Sequence, residues 1–255
     1  MTASVPRRAP DRLTGERLPR FDRFSFPGFL SRKHSGSRLS IAYNECMSNP
    51  WLAIELEDYE GHMGSDNVRQ LEALSNLFKR ALDLCIPESV AVLGVAGGNG
   101  LEQLDPAITK RIVGLDINAR YLGAVRQRYG TLPGLELCCT DLDDMPLSLT
   151  PVALVHAALV FEHTGLGRCL ENALCLVAPG GRFSVVLQLP STAEQDVTPT
   201  RYSSMQALRE SFALIDVSHF CLKLEEKRFH LFHQERRSLP SGKAFWLGIF
   251  ARGTQ

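Results

Sequence analysis

The 255-residue sequence predicts an α/β domain wound on a largely parallel sheet, and three observations carry that prediction. Continuous apolar runs such as Val90 to Val95 and Val152 to Leu159 alternate with stretches of helical spacing; strands apolar on both faces belong in a sheet covered on both sides. The first run breaks into a turn, VAVLGVAGGNGLE, where Gly94, Gly97, Gly98 and Gly100 crowd into seven positions. Acidic residues stand where three of the strands stop, at the edge where such sheets bind ligands.

In chain order, residues 1–46 are rich in Arg, Ser and Pro and show neither helical nor strand period, which reads as a disordered basic arm. Met47, at the head of MSNPWLAIELEDYEGHM, offers an alternative natural start, so that the domain proper is 47–255. Between Asp66 and Leu84, Val68, Leu71, Leu74, Leu77, Phe78, Ala81 and Leu82 recur at intervals of three and four. That is one face of an amphipathic helix over 66–84, capped by Asp66 and closed before Pro87. Strand Val90 to Val95 follows, then a helix from about Gly98, strand Arg111 to Asp116, a helix from Asn118 to Tyr129 and strand Leu135 to Cys139. Strand Val152 to Leu159, a helix near Gly165 to Leu176 and strand Arg182 to Gln188 continue the alternation.

Composition narrows the class. With 44% hydrophobic and 22% charged residues the chain has the make-up of an ordinary globular protein, with one main domain expected. The zero net charge conceals an asymmetry: nine Arg or Lys against three acids put residues 1–40 at +6 and the remainder at −6. Seven cysteines, no C-x-x-C pair and no apolar N-terminal run before a cleavage site favour a reducing compartment, with the cytoplasm as the expectation. The apolar run Pro151 to Phe161 is far too short to cross a bilayer. No basic stripe with interleaved aromatics argues for a nucleic-acid partner, and a small-molecule substrate is expected; nothing indicates the oligomeric state. His230 and His233 lack further ligands at familiar spacing, so no metal is expected, and Lys223 to Arg237 reads as a solvated face.

Several residues carry the chemistry. A glycine-rich turn between strand and helix exposes backbone N–H groups and the positive end of a helix dipole to a nucleotide-like ligand; a ligand-free tight connection is the bland alternative. Asp116 ends the second strand, where a carboxylate can accept both hydroxyls of a ribose. Asp141, just past LELCC, can accept from an exocyclic amine or be a solvated loop acid. Glu162 and His163 follow the fourth strand, His163 as a candidate base or a structural histidine. In PSGKAFW, Lys243 either approaches a substrate or belongs to the turn into the last strand, and Pro-Ser-Gly chemistry favours the turn.

Together, Val90 to Gln188 resemble the class I S-adenosylmethionine-dependent methyltransferases. The resemblance implies a Rossmann-like, doubly wound, seven-stranded sheet, mostly parallel with an antiparallel closing pair. It assigns Val217 to Leu224 and Phe245 to Ala251 to that pair, after a helix over Ser204 to Leu214, with Pro179 to Gly181 turning into the fifth strand. It implies S-adenosyl-L-methionine as cofactor, with Ala96, Gly97, Gly98 and Gly100 in the turn, Asp116 and Ile117 at the ribose, and Asp141 and Leu142 at the adenine. Tyr59, Glu60 and His62, ahead of the capping helix, stand as acceptor-binding candidates, with His163 and Glu162 as catalytic ones. The family's usual acid is Gly94 here and its first glycine is Ala96; Glu102 is either a compensating acid or an ordinary first-turn acid.

Two other readings compete with methyl transfer to a small acceptor. A NAD(P)-dependent oxidoreductase shares the glycine turn and downstream acid, but Gln103 stands where G-x-G-x-x-G needs its third glycine. A methyltransferase-like binding module without catalysis draws on Gly94.

Overall fold

The computed structural model describes residues 49–144, 147–191 and 196–253, so the basic arm and the alternative start at Met47 lie outside the described residues. Seven strands, β1 (Ser89–Leu93), β2 (Arg111–Asp116), β3 (Leu135–Cys139), β4 (Val152–Ala158), β5 (Val177–Leu189), β6 (Phe229–Ser238) and β7 (Ala244–Arg252), form one sheet in the order β3-β2-β1-β4-β5-β7-β6. The first five run parallel; β7 pairs antiparallel with β5 and β6. This is the expected doubly wound, mostly parallel sheet with an antiparallel closing pair. Because β1 leads to β2 on one side and β4 returns to the other, the order reverses between β1 and β4. The crevice there, at the carboxyl ends, is where a ligand is received.

Strand alternation divides the core. Ala91 and Leu93 of β1 pack with Val113, Leu115, Val155 and Phe183 on one face, while Val90 and Val92 pack with Ile112 and Leu154 on the other. Helix α2 (Gln70–Cys85) covers the second face through Leu74, Leu77, Phe78 and Ala81, joined by Leu122 and Val125 of α3 (Ala119–Tyr129). Helices α5 (Arg168–Cys175) and α6 (Val217–Glu226) cover the first through Leu170, Leu174, Phe220 and Leu224. The remaining helices are α1 (Leu56–Gly64) and the single turn α4 (Phe161–Thr164). Among the described residues no helix is long and apolar enough to cross a membrane.

Five segments differ from the sequence expectation. The fifth strand begins at Val177 rather than Arg182, so Pro179 to Gly181, expected as the turn into it, lie within β5 where its register with β4 shifts. The amphipathic helix begins at Gln70 rather than Asp66: the Ser65 carbonyl accepts from the N–H groups of Val68 and Arg69, closing a turn, and Arg69 at φ 47° precedes the helix without a side-chain cap. After the glycine turn there is no α-helix, only a 3₁₀ turn at Leu101–Gln103; Gly98 and Gly100 have φ of 89° and 94°, and Pro106 lacks the N–H a continuing helix needs. Residues 217–224 lie in α6, not in a strand, because Asp216 caps the helix at His219 N, 2.7 Å away, and Phe220 and Leu224 share one buried face. The strand is β6 instead, inside the stretch read as a solvated face. Residues 203–209 form a 3₁₀ helix where 204–214 was expected to be α-helical.

Candidate functional site

A cleft of about 1050 Å³, mouth included, opens over the carboxyl ends of the strands. Its floor takes Gly94 and Ala96 from beyond β1, Asp116 and Ile117 from β2, Asp141 and Leu142 from beyond β3, and Ala158 to Val160 at the end of β4. Its roof is built by Trp51, Tyr59, His62 and Met63 on one side and Met205, Leu208 and Phe212 on the other.

The glycines of the turn serve the protein's own packing as much as any ligand. Gly97, Gly98 and Gly100 do not line the cleft; the space where their Cβ atoms would stand is taken by Glu60, by Tyr129 and by Phe78 respectively. Gly94 does line it, at φ 62°, as does Ala96 at φ 47°. Glu102 neither reaches the cleft nor caps an α-helix. It ties the turn to α2 by accepting from Gly100 N at 2.9 Å and Ser75 Oγ at 2.6 Å, with Tyr129 OH at 3.3 Å. Burial pushes its pKa up, but these donors prevail and hold it below the ordinary value.

Asp116 is the most constrained group in the floor. Its Oδ2 accepts from Ala96 N at 2.9 Å and its Oδ1 from Asn118 N at 2.8 Å, which fixes both oxygens at the mouth of β2. Burial raises its pKa, against the pull of those backbone donors. Asp141 accepts from Asp143 N at 2.9 Å, so it shapes its own turn while facing the cleft.

The expected catalytic pair separates. His163 lines the cleft, its ring edge-on to Trp51 (centroids 5.0 Å apart) and to Phe212 (5.3 Å), and burial lowers its pKa to about 4. Its Nδ1 lies 3.4 Å from Ser211 Oγ. Glu162 points away from the cleft: it is 1% exposed, accepts from Gln188 N at 2.7 Å, and leaves Oε2 without a partner. Burial raises its pKa to about 7.

Of the acceptor candidates, Tyr59 and His62 line the roof, and Glu60 does not. Glu60 is bound by the Arg128 guanidinium, which also donates to the Gly97 carbonyl. Burial raises the Tyr59 pKa and lowers that of His62, whose Nδ1 is 2.9 Å from Thr200 Oγ1.

Among the cleft residues that sequence reasoning did not assign to the site are Gln188, Trp51 and Lys243. Gln188 ends β5, so the rule that singled out Asp116 would have found it. Trp51 lies in a segment without periodicity, and Lys243 was absorbed into turn chemistry, although it both follows the turn and faces inward.

A doubly wound sheet whose strand-end acid Asp116 lines a cleft beneath Trp51, Tyr59 and Phe212 defines an α/β domain with a ligand-sized cleft at its switch point. Residues 90–181 match the family model described as a methyltransferase domain. Solved structures agree in fold. The N-methyltransferase NodS from Bradyrhizobium japonicum WM9 in complex with S-adenosyl-L-homocysteine is similar with a TM-score of 0.60 at 17% identity, covering 80% of this chain and 98% of that one. Magnesium protoporphyrin IX methyltransferase from Synechocystis PCC 6803 with bound S-adenosylhomocysteine has a TM-score of 0.58 at 12% identity, covering 77% and 94%. The [4+2]-cyclase SpnF has a TM-score of 0.56 at 11% identity, covering 72% and 82%. No curated protein sequence matches the chain. Residues 90–181 are thus similar to a methyltransferase domain, and the chain shares the fold of methyltransferases solved with S-adenosylhomocysteine.

Proposed function

We propose that this chain methylates a small-molecule acceptor in the cleft by in-line displacement. The observation that carries the reading is Asp116, held by two backbone N–H groups with its carboxylate at the cleft. The residues present fit the cofactor: Asp116 accepts the ribose hydroxyls, Asp141 and Leu142 border the adenine, and Ile117 lies between them. Ala96 borders the amino-acid end, while Gly97, Gly98 and Gly100 shape the turn behind it without lining the cleft. S-adenosylmethionine supplies an electrophilic methyl group on a sulfonium. With that cofactor bound, the cleft would align the acceptor's lone pair with the methyl group opposite the sulfur, and the acceptor's proton would pass to His163 or to water.

Rate in such a displacement comes mainly from alignment and exclusion of water, which the aromatic roof supplies. His163 is neutral near pH 7, its pKa held down by burial, and acts by orienting the acceptor and receiving a proton as the reaction acidifies it. Glu162 is a positioning residue, since it anchors the backbone of Gln188 and does not itself line the cleft. Tyr59 and His62 border the acceptor.

A second reading, a binding module without turnover, is favoured by Gly94, which replaces the family's acid in a left-handed conformation. Calorimetry distinguishes the readings. S-adenosylhomocysteine is expected to bind and NADH not to, and Asp116→Asn to weaken the former by about tenfold or more through loss of a charged acceptor. NADH binding in place of S-adenosylhomocysteine would support the oxidoreductase, and binding of neither the module.

A further inference from the structure

One corner of the cleft holds a buried cation with no carboxylate in contact with it among the described residues. Lys243, at the start of the hairpin arm leading into β7, is 3% exposed and lines the cleft. Its ammonium donates to the carbonyl of Asp196 at 2.5 Å, and Gln188 Nε2 shares that carbonyl at 3.0 Å. No carboxylate among the described residues lies within 4.0 Å of Lys243, and that of Asp196 acts on it only from farther off. His62, 4% exposed on α1, faces the same corner, close enough that the lysine's charge disfavours its protonation.

A buried ammonium carries a desolvation penalty of several kcal/mol unless an anion meets it, and one carbonyl satisfies only one of its three donors. The acids that line the floor do not answer it. Asp116 ends β2, and Gln188 belongs to β5, three strands across the sheet and so about 14 Å away. The ribose end of the cofactor belongs at Asp116, so the Lys243 corner falls on the acceptor's side.

We infer that Lys243, His62 and Gln188 form an anion subsite that receives a carboxylate on the methyl acceptor, an inference that rests on the methyltransferase reading above. Lys243 supplies the charge. His62 pairs with the Thr200 hydroxyl through Nδ1, and in the tautomer whose Nδ1 accepts that hydroxyl its Nε2–H adds a second donor to the same oxygens. Gln188 donates alongside once its amide turns from the Asp196 carbonyl. The acceptor class is then a small carboxylic acid methylated at a second functional group, its body lying against Trp51, Tyr59 and Phe212.

The test uses the full chain saturated with S-adenosylhomocysteine and reads the thermal midpoint and calorimetric affinity for matched acid and amide probes. These are salicylate against salicylamide, anthranilate against anthranilamide, and indoleacetate against indoleacetamide. Acids are expected to stabilise the complex where their amides do not. Lys243→Met should weaken the acids by about ten- to a hundredfold while leaving S-adenosylhomocysteine affinity unchanged, and Lys243→Arg should recover part of the loss. His62→Gln, which keeps a donor, is expected to lose less. Equal response to acids and amides, no response to any acid, or an acid response that survives Lys243→Met while the cofactor product still binds overturns the subsite alone. Failure of the wild-type chain to bind S-adenosylhomocysteine overturns the methyltransferase reading, and this inference with it.

Discussion

Gly94 shows how one residue links local backbone to chemistry. Its φ of 62° is open to glycine and costly for other residues, and an added Cβ would stand 3.2 Å from Val160 Cγ2. Restoring the family's acid is therefore not a repair: Gly94→Asp is expected to destabilise by about 1 kcal/mol and not to tighten S-adenosylhomocysteine binding, as read by thermal midpoint and calorimetry together. A tighter complex would show that the position tolerates the acid and that its absence limits affinity. Glu162 makes the same link through protons. Burial raises its folded pKa from 4.5 to about 7, so between those values the folded state holds more protons than the unfolded one. Its contribution is fully present below pH 4.5 and is lost as pH rises through about 7, on the order of 3 kcal/mol. Glu162→Gln should remove that downward component, so that the difference in stability between variant and wild type changes steadily from pH 4.5 to about 7 in chemical denaturation; parallel profiles for the two proteins would refute it. His163 and His156, with pKa values lowered by burial to about 4 and about 3, act in the opposite sense, losing stability as pH falls below 6.5, and the substitution leaves that limb unchanged.

At the scale of elements, what the sequence reveals follows from what pattern can encode. Strands β2 and β3 were legible to the residue, and β1, β4 and α3 to within two, because continuous apolar runs and an Asn118 cap are local signals. The same logic failed at 217–226. Val217, Phe220, Cys221 and Leu224 fit an i, i+3, i+4, i+7 helix face, but the resemblance called for a strand near this place, and the strand lies one element later. Strand β6 is hard to read because its side chains alternate with little apolar content, exposing Phe232 and Leu231 beside Arg236 and Arg237. The cap gives the decisive check. Asp216→Ala removes the acceptor of His219 N and should cost about 1 kcal/mol, whereas a residue in a strand-flanking loop would cost almost nothing. Of the candidate site, the floor residues at strand ends were legible by the strand-end rule, while the roof was not. Trp51, Tyr59 and Phe212 are brought together only by tertiary packing, and Gly97, Gly98 and Gly100 looked ligand-facing because their close neighbours, Glu60, Tyr129 and Phe78, are distant in sequence.

Across the whole molecule, a rigid floor meets a more lightly held roof. The floor is a seven-stranded sheet whose central strands are buried on both faces. The roof segment at 49–64 is attached to α3 by exposed ion pairs, Glu55 with Arg120 and Glu60 with Arg128, and by Asn118 and Tyr121 donating to the carbonyls of Trp51 and Ile54. On its other side it meets residues 200–208 through Asp58 with Ser204, His62 with Thr200, and a small cluster of Ile54, Met205 and Leu208. Exposed ion pairs contribute about 0 to 1 kcal/mol each, so the roof is fastened far more weakly than the sheet and is the part able to move when a ligand enters. Trp51 reports on it, because its ring lines the cleft between Tyr59 and His163. The second tryptophan, Trp246, is tied to Gln234 within the sheet at β7 and should be silent. Titrating S-adenosylhomocysteine should therefore change tryptophan emission with a saturation curve that matches calorimetry, lost in Trp51→Phe and kept in Trp246→Phe. A signal that follows Trp246 instead would mean that binding is felt through the sheet, and that the roof takes no part in it.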